Sequence, residues 1–305
     1  MEINKIIVAG AGAMGRGIAH VFAQFGIEVE LYDISVNAIN NALSTISHNI
    51  DRQIKKNIFP IDQKLKILDK ISSTTNLKHL SQNANIVIEA ISENKKTKSN
   101  LLKDFDPIMH ENTIFATNTS SISITELAAN LSKTRQERFI GMHFMNPVPI
   151  MNLVEIINGY STNQEITEII RELVLRINKV PVIVNDYPGF ISNRILMPMI
   201  NEAIFALYEG VSDRESIDNV MKLGMNHPMG PLALADFIGL DVCLNIMDVL
   251  YEGFKDSKYR ACPLLRQMVI SGNHGKKTGK GFYSYWKRIM YIISSVSAWV
   301  VSANY

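Results

Sequence analysis

The sequence predicts an α/β domain built on a parallel sheet, followed by an all-helical C-terminal domain. Three observations carry this expectation. Short β-rich runs alternate with longer helical patterns through the first half, as successive βαβ units require. A glycine cluster, Gly10-Ala11-Gly12-Ala13-Met14-Gly15, separates the first apolar run from the first helical one. Beyond Asp186-Tyr187-Pro188-Gly189-Phe190, strand-like alternation ends and helical spacing takes over. The expected division is residues 1–185, residues 186–285, and an apolar extension over 286–305.

The elements follow in order. Lys5 to Ala9 is a short apolar run ending in glycines, a buried strand. Ile18, Val21, Phe22 and Phe25 then recur at helical spacing over about Met14 to Phe25. Glu28 to Tyr32 alternates as a second strand closed by Asp33. Ile39, Leu43, Ile46 and Ile50 mark one face of a long helix over about Ser35 to Lys56, and a Lys-rich helix is expected near Ile61 to Asp69. Strands are expected at Ile86–Ala90 and Thr113–Thr117, with a helix between them from Asn94 to Phe105, stopped before Pro107. A helix near Thr125 to Leu131 leads to a strand at Phe139–His143. Leu153 to Ile157, a helix near Gln164 to Leu175 and a strand at Val180–Val184 complete the first domain. Helices are expected after the boundary at about Ile191–Tyr208, Asp213–Leu223, Leu240–Glu252 and Leu264–Ile270.

Composition narrows the function. The 305 residues suit two domains, at roughly 100–200 residues each. Lys and Arg number 31 against 29 Asp and Glu, too balanced for a chain built to grip nucleic acid or an acidic membrane. Two cysteines, Cys243 and Cys262, fit reduced buried thiols in a cytoplasmic protein better than a disulfide scaffold. The histidines are scattered and no CxxC pair occurs, so no metal site is expected. The N-terminus runs straight into a strand and does not read as a signal peptide.

Strand, G-x-G-x-x-G, helix, second strand and terminal Asp33 together specify a Rossmann-type nucleotide-binding domain. Gly10 permits the tight turn. Gly12 lets backbone amides approach a pyrophosphate, and Gly15 lets the helix pack closely on the sheet. Asp33, 23 residues after Gly10, is placed to accept hydrogen bonds from the adenosine ribose. Its charge would repel a 2′-phosphate, and Ile34 and Ser35 offer no arginine in compensation, so NAD is favoured over NADP.

The middle of the chain is more specific. Thr117-Asn118-Thr119-Ser120-Ser121-Ile122, Gly141-Met142-His143-Phe144-Met145-Asn146-Pro147, Leu153-Val154-Glu155 and Pro188-Gly189-Phe190-Ile191-Ser192-Asn193-Arg194 occur in this order. His227-Pro228-Met229-Gly230-Pro231 and Gly275-Lys276-Lys277-Thr278-Gly279-Lys280-Gly281-Phe282-Tyr283 follow them. With these motifs the chain resembles the 3-hydroxyacyl-CoA dehydrogenases, the bacterial short-chain 3-hydroxybutyryl-CoA enzymes above all. The resemblance covers about residues 3 to 285.

It implies that His143 is a general base oriented by Glu155, with Ser120 on the substrate oxygen and Asn193 near substrate and nicotinamide. It also implies Met14 with the three glycines, Asp33, Glu93, Lys98 and Asn118 as cofactor contacts, a cleft between the domains, and a homodimer formed through the helical domain. By pattern alone Ser120 is a turn or cap residue no better than Ser121 or Ser123, and Glu93 and Lys98 are solvated charges. The implied substrate is an acyl-CoA thioester of the (S)-3-hydroxy series, most simply four carbons long. Arg52, Lys55, Lys56, Lys64 and Lys66 are candidates for its phosphates.

Two features depart from that pattern. The stretch from Ser120 to His143 is about two residues longer than expected, near Ala129 to Lys133. After Tyr285 the chain continues through Trp286-Lys287-Arg288 into Ile289–Ala303, which carries no charge. As a helix those fifteen residues would reach about 22 Å, short of a ~30 Å hydrocarbon core, so membrane association is not expected. Two other readings stay open: a 3-hydroxy-acid or sugar-acid dehydrogenase without CoA recognition, and a non-catalytic NAD-binding protein.

Overall fold

In the computed structural model residues 2–285 are described. They divide into two compact units, one running to Phe190 and one beginning at Ile191. The apolar extension, residues 286–305, lies outside the described residues.

The first unit holds an eight-stranded sheet of β1 (Lys5–Ala9), β2 (Glu28–Tyr32), β3 (Ile71–Thr74), β4 (Ile86–Glu89), β5 (Ile114–Thr117), β6 (Phe139–Phe144), β7 (Leu153–Asn158) and β8 (Val180–Asn185). Their order is β3-β2-β1-β4-β5-β6-β7-β8, and every pairing is parallel except β6 with β7. The central strands are buried on both faces, which explains their unbroken apolar runs: Ile6 through Ala9, Ile86 through Ile88 and Ile114 through Ala116 are all buried.

The helices of this unit are α1 (Ala13–Gln24), α2 (Val36–Lys55), α3 (Gln63–Leu68), α4 (Lys95–Phe105), α5 (Ile124–Ala128), α6 (Lys133–Glu137) and α7 (Gln164–Arg176). Their starts follow local chemistry. The Ser35 hydroxyl accepts from the Ala38 amide at 3.2 Å and caps α2, and Asn94 Oδ1 accepts from the Thr97 amide at 3.0 Å to cap α4. Ile39, Ala42, Ile46 and Ile50 form the buried stripe of α2.

Strand β3 and helix α6 have no counterpart in the expected elements. The first has the polar sequence Ile71-Ser72-Ser73-Thr74 and is held by pairing with β2 at the sheet edge. The second is anchored by Arg135, whose guanidinium is buried against Asp106 and the carbonyls of Met109 and His110. The stretch near Ala129 to Lys133, where added length was expected, joins α5 to α6. Asp186 belongs to the first unit because its carboxylate accepts from the Ser123 hydroxyl and the Ile124 and Thr125 amides, at 2.7, 3.1 and 2.8 Å.

The second unit is helical: α8 (Ser192–Tyr208), α9 (Arg214–Asn219), α10 (Pro231–Ile238), α11 (Leu240–Phe254) and α12 (Pro263–Ile270). Its own core gathers Ile200, Ile204, Leu232, Leu240, Met247 and Leu250, among others. Helix α10 was not among the expected elements: Pro228 and Pro231 mark a turn in the sequence, yet Pro231 serves as the first helical residue, where its missing N–H costs nothing. Two buried carboxylates tie this unit together. Asp218 accepts from the Leu232 and Ala233 amides and the Tyr283 hydroxyl, at 2.8, 3.0 and 2.9 Å. Asp236 accepts from the Phe282 and Tyr283 amides and the Tyr285 hydroxyl. Among the described residues both cysteines are free and buried, and no helix is long and apolar enough to cross a membrane.

Candidate active site

In an open α/β sheet, ligands bind beyond the carboxyl ends of the strands where the strand order reverses. Here that point lies between β1 and β4, and the glycine turn opens beside it. Gly10 has φ +112°, and a Cβ there would stand 2.5 Å from the Ala90 carbonyl oxygen. Only glycine meets both demands. A Cβ on Gly15 would lie 1.7 Å from the Gly10 carbonyl, so α1 rests directly on the turn. Gly12 differs, for a Cβ there would meet nothing within 4 Å. Its absent side chain leaves open space at the N-terminus of α1, where unpaired amides favour an anion.

A cavity of about 620 Å³ opens from this point and is lined by Gly10, Gly12, Met14, Tyr32 and Asp33, among others. The Asp33 carboxylate is fixed by the Ala11 and Ser35 amides, at 2.8 and 2.9 Å. Held this way, it presents its remaining lone pairs to the cavity. Open glycine, helix terminus and anchored carboxylate fit a dinucleotide with a free ribose diol.

Deeper in the first unit lies a chain of polar groups that the sequence did not disclose as a group. Lys98 and Glu93, which read by pattern as solvated charges, are not equivalent. Lys98 is 1% exposed, and its ammonium lies 2.7 and 2.9 Å from the two oxygens of Glu89, a residue not singled out in the sequence. Glu89 in turn accepts from the Thr117 hydroxyl at 2.5 Å and the Ile91 amide at 2.7 Å.

Lys98 also approaches Glu93 at 3.3 Å. Glu93 keeps about a third of its side chain exposed (35%) and accepts from Thr119 Oγ1 at 2.6 Å and from the Ser120 and Ser121 amides at 2.9 and 3.1 Å. Burial alone would raise the pKa of Glu93, but the charge of Lys98 and these hydrogen bonds outweigh it and hold the carboxyl below its ordinary value. Asn118 is buried too. Its Oδ1 accepts from the Phe144 amide at 2.9 Å, tying the end of β5 to β6.

His143 and Glu155 stand directly opposite each other in the antiparallel β6–β7 pair, so their side chains share one face of the sheet. Glu155 Oε2 lies 2.7 Å from His143 Nδ1, and both residues are buried. A carboxylate only accepts, so Nδ1 carries the hydrogen and Nε2 of the neutral ring is left as an acceptor. Ser120 Oγ, 3.0 Å from Nε2, then donates to it. Of the three serines, Ser120 is the one whose hydroxyl meets His143: the Ser121 hydroxyl turns to Glu93 and the Ser123 hydroxyl to Asp186. A neutral imidazole held in one tautomer, with a hydroxyl at its acceptor nitrogen, can take up or return one proton at Nε2.

The remaining expected residues distribute differently. Asn193 belongs to the second unit, buried in the first turn of α8. Of the basic side chains, Lys64 is paired with Asp51 at 2.7 Å and Lys66 with Asp62 at 2.9 Å. Arg52, Lys55 and Lys56 stay exposed at the end of α2. Among the described residues no group of three or more His, Cys, Asp or Glu could hold a metal ion.

Comparison with known proteins agrees with this arrangement. Residues 5–187 match the 3-hydroxyacyl-CoA dehydrogenase NAD-binding domain, and residues 189–285 match the C-terminal domain of the same family. The chain is 52% identical over 285 residues to a probable 3-hydroxybutyryl-CoA dehydrogenase of Bacillus subtilis, covering 93% of this chain and 98% of that one. It is 39% identical to the human mitochondrial hydroxyacyl-coenzyme A dehydrogenase, over 93% of this chain and 91% of the relative. The crystal structure of (S)-3-hydroxybutyryl-CoA dehydrogenase from Ralstonia eutropha superposes with a TM-score of 0.90 at 48% identity, covering 93% of this chain and 99% of that one. With both domain families present in sequence order and a cofactor cradle of the matching kind, the chain belongs to the 3-hydroxyacyl-CoA dehydrogenase family and is an NAD-dependent enzyme of that family.

Proposed function

We propose that the chain interconverts (S)-3-hydroxybutyryl-CoA and acetoacetyl-CoA, with His143 as the acid/base. The observation that carries this reading is the Ser120–His143–Glu155 line, in which the carboxylate lies at one ring nitrogen of the histidine and the hydroxyl at the other. Bound NAD supplies the hydride acceptor in oxidation and, as NADH, the donor in reduction. In oxidation, His143 Nε2 takes the proton of the substrate 3-hydroxyl. Glu155 stabilises the imidazolium that results and keeps the ring from rotating. In reduction, the imidazolium returns that proton to the oxygen formed at C3. Ser120, whose hydroxyl lies beside Nε2, turns its one hydrogen to the same oxygen when substrate is bound and limits the positions that oxygen can take.

Several further roles belong to the same reading. Gly10, Gly12, Met14, Gly15 and Asp33 hold the adenosine and pyrophosphate side of the cofactor. Glu93, Lys98 and Asn118 shape its nicotinamide side, and Asn193 contacts the substrate. Arg52, Lys55 and Lys56 meet the CoA phosphates, since Lys64 and Lys66 are already paired. The four-carbon thioester is supported by the similarity to the Bacillus and Ralstonia proteins described above. A homodimer through the helical unit is supported by its exposed apolar side chains, Val211, Val220, Leu223 and Phe237 among them.

Loss of NADH absorbance on mixing the protein with acetoacetyl-CoA at neutral pH tests the reading directly. Protein-dependent oxidation that collapses in His143→Ala, with NADH binding retained, is the expected result. A folded, NADH-binding wild type without activity on the thioester would overturn it. Activity on free acetoacetate instead would assign the chain to a 3-hydroxy-acid dehydrogenase without CoA recognition.

A further inference from the structure

We infer that Glu89 is a positioning residue for the acid/base pair, acting through Lys98 and Glu93 on the turn that carries Ser120. The inference rests on the reading of His143 and Ser120 given above.

Glu89 ends β4 and is fully buried, paired across the parallel ladder with Thr117 of β5. A buried carboxylate is tolerated only when its lone pairs are satisfied. Here Lys98 supplies two contacts, Thr117 one and the Ile91 amide one. A buried ion pair is seldom the most stable way to fill such a space, since apolar side chains of similar volume serve as well. What this pair does specify is the position of a charge.

With Lys98 clamped by Glu89, its ammonium stands 3.3 Å from Glu93 Oε2. The other oxygen of Glu93 gathers Thr119 Oγ1, the Ser120 and Ser121 amides and the Ser121 hydroxyl, at 2.6, 2.9, 3.1 and 3.0 Å. Four donors on one oxygen define the whole 119–121 turn. The side chain which that turn projects, Ser120, is the one that meets His143 at 3.0 Å. Glu89 thus lies at the far end of a line of ion pairs and hydrogen bonds that runs through Lys98, Glu93 and the Ser120 turn to Nε2.

The three charges Glu89, Lys98 and Glu93 sum to −1. Glu89→Gln keeps the shape and brings the sum to zero. Lys98 is then drawn to Glu93, which competes with the turn, and one negative charge is lost from the line that ends at His143. Two readouts follow for oxidation of 3-hydroxybutyryl-CoA. The kcat should fall about tenfold or more, with KM for the thioester little changed. The acidic limb of kcat/KM should move to lower pH by about half a unit, because His143 gives up its proton more readily. Glu89→Asp keeps the charge but shortens the reach, so kcat should fall while the limb stays at its wild-type pH.

The inference is overturned if folded, NADH-binding Glu89→Gln keeps the wild-type kcat and limb. It is equally overturned if both variants lose kcat and neither moves the limb, the mark of a merely structural role. Should Glu89→Gln fail to fold, Thr117→Val carries the test with every charge kept. A several-fold lower kcat with KM for the thioester unchanged then supports the inference, and a wild-type kcat, or a KM that rises in step with the loss, overturns it. Wild-type protein inactive on the thioester would defeat the parent reading instead, so the two failures are distinguishable.

Discussion

Glu155→Gln removes one charge and almost no volume. In the wild type the carboxylate receives the His143 Nδ1–H at 2.7 Å, with both residues buried. As long as the ring is neutral, a glutamine carbonyl accepts that hydrogen nearly as well. In the proposed mechanism His143 then takes the substrate proton, so the wild-type pair becomes imidazolium against carboxylate, and in the variant it becomes imidazolium against an amide dipole.

A charge-assisted hydrogen bond exceeds a neutral one by about 1–2 kcal/mol. The Coulomb energy of two unit charges at ~4 Å is at most about 4 kcal/mol at an effective dielectric of ~20. A loss of about 2–4 kcal/mol in the transition state is therefore expected, or roughly 30- to 1,000-fold in kcat. Acetoacetyl-CoA KM and NADH affinity should change only a few-fold, since the carboxylate is buried against the histidine. The sign of the pH effect is also fixed. Reduction needs His143 protonated, and removal of the carboxylate makes that form harder to keep, so the optimum for reduction moves to lower pH. Steady-state NADH oxidation across pH 5–9 measures both quantities. A folded Glu155→Gln protein with kcat within about threefold of wild type and an unmoved optimum would refute the argument.

Three further outcomes follow from other parts of the fold. Burial pushes the His20 imidazole down to about 4, against a smaller upward pull from Gln53. The unfolded chain therefore binds the extra proton between about pH 4 and 6.5, and stability falls as pH drops through that window, by about 2 kcal/mol at pH 5; urea unfolding at pH 7 and pH 5 should show a difference that shrinks in His20→Leu. Gly12 and Gly15 should separate binding from folding: Gly12→Val should fold, since open space surrounds the site, yet lose NADH affinity at least ~10-fold, whereas Gly15→Ala should unfold at lower temperature because its Cβ meets the Gly10 carbonyl. Asp218→Ala strands two buried amides at the start of α10 together with the Tyr283 hydroxyl, so the helical unit should lose about 3 kcal/mol by denaturant titration.

The glycine turn and Asp33 were legible in the sequence because they depend on neighbouring elements, whereas His143 and Glu155 were pointed to by the family resemblance. A strand, its turn and the following helix are contiguous, so Gly10, Gly12 and Gly15 disclose their tasks by spacing alone. His143 and Glu155 lie on consecutive strands, and adjacency in sequence became adjacency in the sheet. The identity of the active serine was not legible by pattern, since three serines within four positions offered the same chemistry. Only the course of the turn sends Ser120 to Nε2, Ser121 to Glu93 and Ser123 to Asp186.

The same limit governs the charges. Lys98 sits on a polar helix and Glu89 follows an apolar strand, so local pattern makes one a solvent group and the other a strand end. Burial is a property of what packs above a residue. Here α4 lays Lys98 over the carboxyl ends of β4 and β5, and an apparent surface lysine becomes the partner of a buried carboxylate. Lys64, indistinguishable by sequence from Lys55 and Lys56, is likewise taken by Asp51 of the preceding helix, whereas Lys66 pairs with Asp62 in a local, exposed contact one helical turn away. The sequence determined the alternation of most strands and helices and the nucleotide turn, because these follow from local spacing and residue type, and its motifs carried the likeness that pointed to the chemistry. Tertiary structure alone decided which charges face water and which face each other, because desolvation and Coulomb energy depend on neighbours brought together from distant parts of the chain.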